Sequence, residues 1–130
     1  MDISLDLQYM SPITKVWSAL TESTLLAKWI MPNDFKPVAG HTFQFRTQPT
    51  QWWNGIVECE VLAVEEPHKL MFTWVSGAVN TTVTWTLTGV GETTRLHLEQ
   101  TGFTDAQAFN GAQYGWTRMG NELEKVLAEL

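Results

Sequence analysis

The ionisable and nucleophilic side chains of this 130-residue chain are dispersed rather than clustered. His41, His68 and His97 fall on different predicted elements at no metal-ligand spacing, so no metal site is expected. His97 occupies the polar side of an alternating segment, the pattern of a solvated histidine. Glu58 and Glu60 share one face of a predicted strand and read as solvated surface rather than as a general acid and base. Cys59 lies on the opposite, apolar face with no basic neighbour to lower its pKa, which makes it a small core residue and not a nucleophile. Arg46 and Arg95 alternate outward. The chain has no phosphate-binding glycine loop and no nucleophile elbow, and no cofactor is expected. Tyr9, Tyr114 and Gln100 are the polar residues that the pattern can direct inward, and a tyrosine with an ordinary pKa of about 10 is a poor base at neutral pH. The residues favour binding over catalysis.

The binding chemistry is aromatic. Seven tryptophans stand at Trp17, Trp29, Trp52, Trp53, Trp74, Trp85 and Trp116. Each ring can bury on the order of 150–250 Å², which at roughly 25 cal/mol per Å² is about 4–6 kcal/mol of gross transfer free energy. So short a chain does not easily pack seven such bodies without gaps. They must fill a core, line a pocket or present a partner surface. For any single ring, core packing is the commoner role, but a set converging on one interior is the pattern of an apolar ligand site.

The elements that position these rings follow from periodicity. Ile3, Leu5 and Leu7 alternate with polar residues and predict a first strand. Ser11 as N-cap and Pro12 as first helical residue open a helix carrying Ile13, Val16, Trp17 and Leu20. A second short helix, capped by Thr21 or Ser23, carries Leu25, Leu26, Trp29 and Ile30 and stops at Pro32-Asn33-Asp34. Trp17 and Trp29 fasten this helix pair. From Thr42 to Gln100, clean alternations predict five strands, with inward rows that include Phe43 and Phe45, Val57, Cys59 and Val61, Leu70, Phe72 and Trp74, and Val83, Trp85 and Leu87. After Asp105 the period becomes helical, and Phe109, Ala112, Trp116, Met119, Leu123, Val126 and Leu127 fall on one stripe. Gly111, Gly115 and Gly120 weaken that helix by up to about 1 kcal/mol each relative to alanine. Close packing, or room for something beside the helix, would explain them. Helices segregated from an antiparallel meander define an α+β class, with a cavity expected between a curved sheet and the last helix.

The bulk numbers exclude several roles. A 44% hydrophobic, 17% charged chain of this length is expected to be one globular domain spanning residues 1–130. A net charge of −6 disfavours nucleic acid and anionic membranes as partners. The amino terminus lacks a signal-peptide pattern, no stretch approaches the length of a membrane span, and the single cysteine fits a reducing compartment. A cytoplasmic protein without membrane insertion, monomeric or weakly dimeric, is the expectation.

Four segments together resemble the START-like (SRPBCC) helix-grip superfamily, and within it the homologues of the activator of the heat-shock ATPase. They are Val16-Trp17-Ser18-Ala19-Leu20-Thr21, Leu26-Ala27-Lys28-Trp29, Leu70-Met71-Phe72-Thr73-Trp74, and Gly115-Trp116 followed by Leu123. The resemblance covers essentially the whole chain. It departs at Ala39-Gly40, where a glycine pair is usual, and at Gly120, where an apolar residue is common and a glycine leaves room to enlarge the cavity. The resemblance implies about six curved antiparallel strands wrapped around a long C-terminal helix, with two short helices after the first strand and a deep apolar pocket. On this basis the expected ligand-binding residues are Phe43, Phe45, Phe72, Trp74, Trp85, Trp116, Met119 and Leu123. Trp52 and Trp53, adjacent and unable to face the same side of a strand, are expected at the pocket mouth or on a partner surface. The expected function is binding of an apolar small molecule, lipid-like or planar and aromatic. The family name raises the alternative of a chaperone partner and a role in the stress response. A cyclase or aromatase type of enzyme is the third reading and requires an inward acid or base.

Overall fold

The computed structural model describes residues 1–130. Its elements run β1 (Ile3–Tyr9), α1 (Ile13–Thr21), α2 (Ser23–Trp29), β2 (Thr42–Arg46), β3 (Ile56–Glu65), β4 (Lys69–Ser76), β5 (Val79–Val90), β6 (Thr93–Thr101) and α3 (Ala106–Ala128). The strands form one antiparallel sheet in the order β1-β6-β5-β4-β3-β2. This is the six-stranded helix-grip arrangement that the alternation and the resemblance imply.

The register puts apolar rows opposite one another on the inner face. Trp85 pairs with Leu70 on one side and Leu98 on the other, and Phe43 pairs with Cys59. A register shift between Val61 and Ala63 interrupts the β3 ladder and marks a bulge. The β2 edge is not left open, since Asn33 bridges Phe45 and the Arg46 N–H donates to the Pro32 carbonyl at 2.9 Å.

The helix starts differ from expectation in detail. Pro12, in an extended conformation, is the N-cap of α1, and Ser11 lies one residue outside, its carbonyl accepting from the Thr94 hydroxyl at 2.7 Å. Neither Thr21 nor Ser23 caps α2. Thr21 Oγ1 donates back to the Trp17 carbonyl at 2.8 Å, and Ser23 Oγ is engaged with Asn33. Both hydroxyls are spent as donors to oxygens outside the first turn of α2, and neither oxygen accepts from its free N–H groups. Trp29 Nε1 donates to the Ala19 carbonyl and Trp17 Nε1 to Glu66 Oε1, each at 3.0 Å, so the two rings pin the helix pair to itself and to the β3–β4 connection. Asp105 caps α3 by accepting from the N–H groups of Gln107 and Ala108. No helix is long and apolar enough to cross a membrane.

Candidate functional site

The two halves of α3 meet the sheet differently. In the second half Gly120, Leu123, Val126 and Leu127 are buried. A Cβ on Gly120 would stand 2.9 Å from Leu7 Cδ1, and the Gly120 carbonyl accepts the Tyr9 hydroxyl at 2.9 Å. Gly120 therefore brings α3 down onto β1, and does not enlarge a cavity as expected. In the first half, a Cβ on Gly111 would meet nothing within 4 Å, and one on Gly115 would meet only Met119 Cε at 3.8 Å. These two glycines are not needed for close packing. They face a groove of ≈ 550 Å³ between the helix and the sheet.

One wall of the groove is the α3 row Ala108, Ala112, Gly115, Trp116 and Met119, and the other is built by Val57, Trp74, Val79 and Phe103. Trp74 and Trp116 cross it with ring centroids 5.4 Å apart. A chain of hydrogen bonds ties the Trp116 ring to the β4 backbone: Trp116 Nε1 donates to Gln100 Oε1 at 2.6 Å, Gln100 Nε2 donates to Thr81 Oγ1 at 2.8 Å, and Thr81 Oγ1 donates to the Trp74 carbonyl at 2.9 Å. Gln100 and Thr81 are almost fully buried, so the chain is shielded from water.

Of the residues expected to line the pocket, Trp74, Trp116 and Met119 reach the groove, while Phe43, Phe45, Phe72, Trp85 and Leu123 lie in the core behind it. The reason is layering. Phe45 packs on Trp74 at 5.4 Å and Phe72 on Trp85 at 5.0 Å, and Trp85 in turn meets the far edge of Trp116 at 6.1 Å. An inward row is buried whether it meets a ligand space or another ring, and alternation cannot distinguish the two. The sequence signal is the run of small residues at 108, 111, 112 and 115, which recur on one helical face where an amphipathic helix would otherwise place large apolar side chains; it is visible at Gly111 and Gly115 as room beside the helix and extends to Ala108 and Ala112.

Trp52 and Trp53 lie in the loop between β2 and β3 and point apart. Trp52 is 88% exposed, whereas Trp53 folds over the groove, its indole N–H buried without a partner. The loop carrying them is closed at its base by the Thr47 N–H donating to the Gly55 carbonyl at 2.8 Å. Gly55 has φ of +77°, and a Cβ there would fall 2.3 Å from the Thr47 carbonyl oxygen, so only glycine fits. Gly55→Ala is expected to destabilise the protein by at least about 1–3 kcal/mol and to move Trp53 off the groove. Chemical denaturation and the accessibility of the Trp53 indole to a fluorescence quencher would show both.

No ionisable side chain lines the groove. Tyr9 is buried against Gly120, with its hydroxyl pKa pushed up by burial and then by Glu124, and Tyr114 is 73% exposed on the far side of α3. Only Gln100 of the inward polar candidates meets the groove. Burial, with Asp34 and Glu58, likewise pushes up the Cys59 thiol and removes it as a nucleophile. A second concavity of ≈ 490 Å³ lies on the outer face of β2, β3 and β4, lined mainly by polar and charged residues such as Gln44, Arg46, Glu58 and Glu60.

On the outer face of β1 and β6, His97 lies between Glu99 Oε1 at 2.9 Å and Asp6 Oδ1 at 3.0 Å. The hydrogen bond to Glu99 and then that to Asp6 raise its pKa above the ordinary value. A raised folded-state pKa contributes stability that is full below the unfolded pKa and is lost as pH rises through the folded one. The wild type is thus expected to lose its stability advantage over His97→Gln as pH rises from the titration range of an unstructured histidine through that of the folded one, in paired thermal melts, with the His97 NMR titration midpoint above that of an unstructured histidine. An advantage constant across that window would contradict the assignment.

The family described as activator of Hsp90 ATPase homolog 1-like protein matches residues 10–128. Protein MLL2253 from Mesorhizobium loti is 36% identical, with a TM-score of 0.90 over 99% of this chain and 98% of that one. Protein BH1534 from Bacillus halodurans is 28% identical, with a TM-score of 0.83 over 98% of this chain and 96% of that one. CalU16 from Micromonospora echinospora shares the fold at 24% identity, with a TM-score of 0.81 over 97% of this chain and 75% of that one. No curated protein matches the chain.

Proposed function

The chain belongs to the family of activator of Hsp90 ATPase homolog 1-like proteins, and we propose that it serves as a binding protein for an apolar small molecule held between the sheet and α3. The observation that carries this reading is the stand-off of the first half of α3. Glycine and alanine at 108, 111, 112 and 115, beside the Trp116 indole, face Trp74 across ≈ 550 Å³, a volume within the usual range of small-molecule sites of about 300–1,000 Å³. A sequence selected only for stability would fill that space with larger side chains, since each helical glycine costs up to about 1 kcal/mol relative to alanine. Flat aromatic rings suit the two crossed indoles, and acyl chains suit the apolar helix face.

Titration with the neutral dye Nile red tests it. Saturable enhancement of dye emission with quenching of tryptophan fluorescence is expected, and no saturable response to Nile red or to a panel of flat aromatic and acyl compounds would overturn the reading. Catalysis is disfavoured because no titratable side chain faces the groove. The chaperone alternative rests on the family description alone, and stimulation of Hsp90 ATPase activity by the purified protein would favour it. A cytoplasmic setting fits the lone, buried Cys59, and a monomer or weak dimer is expected on size-exclusion chromatography.

A further inference from the structure

We propose that the groove selects uncharged ligands that carry one hydrogen-bonding group, a carbonyl or a hydroxyl, and rejects carboxylates and ammonium ions of the same shape. This rests on the groove being a ligand site and narrows what the site accepts.

The selection follows from what the groove offers a polar atom. Its polar groups, among them the Ser76 hydroxyl, the Gln100 amide and the unpartnered Trp53 indole N–H, are all neutral, and no Asp, Glu, Lys, Arg or His reaches it. A charge moved from water into such a space has no counter-charge to meet, which is the costly form of burial. The net charge of −6 adds a repulsive field for anions. An indole face attracts a cation, but that attraction is small beside the hydration an ammonium ion would lose.

Gln100 supplies the neutral anchor. An amide side chain has two N–H donors and an oxygen with two lone pairs. Its orientation is dictated by the neighbours: the Trp116 indole can only donate, so the atom 2.6 Å from it is the amide oxygen. The Thr81 hydroxyl is committed as a donor to the Trp74 carbonyl, so it accepts from the amide nitrogen. One N–H and one lone pair of Gln100 are left without a protein partner, on a residue that borders the groove and is only 1% exposed. A ligand carbonyl can take the N–H, and a hydroxyl can take either. Because water is largely excluded there, that bond discriminates more strongly than it would at the surface.

Four probes with one ring system test the proposal by calorimetry at neutral pH: naphthalene, 2-naphthol, 2-naphthoate and 2-naphthylmethylammonium. The Trp116 indole N–H resonance serves as the site reporter. We expect 2-naphthol to bind about tenfold tighter than naphthalene, and naphthalene to bind at least as well as either ion. Gln100→Met should erase the preference of 2-naphthol over naphthalene, bringing the ratio of their affinities to about one. Ala112→Lys places a cation on the helix wall, and should raise the naphthoate-to-naphthol affinity ratio by about tenfold or more; this gain does not depend on Gln100. Naphthoate or the ammonium probe binding as tightly as 2-naphthol to the wild type would overturn the charge selection while leaving the groove as a ligand site. Binding by none of the four would remove the ligand-site reading itself, and the selection with it.

Discussion

Trp116→Ala is expected to lower the unfolding free energy by about 3–5 kcal/mol and to erase saturable binding of a neutral dye. The ring is 2% exposed and is held by Trp74 at 5.4 Å on one side and Trp85 at 6.1 Å on another. Truncation removes these contacts and merges the space of the ring with the groove, so relaxation would not close the gap. It also leaves Gln100 Oε1 buried without the indole donor, a loss of about 1–3 kcal/mol by itself. Trp116→Phe separates the two contributions, keeping most of the ring while losing the N–H. Urea denaturation of both variants measures the effect. A loss below about 1 kcal/mol for the alanine variant would mean that Trp116 packs little in solution.

Gly115→Leu is expected to have the opposite pattern, abolishing binding while maintaining or raising stability. Leucine is among the better helix formers and glycine is about 1 kcal/mol worse than alanine in a helix interior. The new side chain would enter the groove, meeting Met119 Cε first at 3.8 Å from its Cβ. It fills the space a ligand would occupy and buries apolar area against Trp74 and Trp116. A rise in the thermal midpoint with loss of the Nile red response would separate binding from folding. Unchanged dye binding would place the dye site elsewhere and undermine the groove assignment. Substitution at Gly120 is a useful contrast, because there the added atom meets Leu7 at 2.9 Å and the helix must lift from β1.

Taken together, the two glycines show how one residue type on one helix serves opposite ends. Gly120 permits contact and Gly115 preserves distance. Nothing in the spacing of Gly111, Gly115 and Gly120 distinguishes them, since all three were open to either explanation. The distinction comes from β1, whose Leu7 and Tyr9 are more than a hundred residues away in sequence and rise to meet only the later turn.

Local periodicity was enough for the element order and the α+β class. Period-two rows and one long period-3.6 stripe are properties of neighbouring residues, and each strand had a single apolar face to bury. Tertiary structure alone decided which inward residues form the groove and which stand behind it. Phe43, Phe45, Phe72 and Trp85 satisfy the same alternation as Trp74, and Leu123 the same helical stripe as Trp116, yet aromatic partners cover the four strand rings and Leu123 lies in the core. Burial pattern records only that a side chain leaves water. Whether it faces another ring or an open space depends on where α3 crosses the sheet, and that crossing is set by long-range contacts at the far end of the helix.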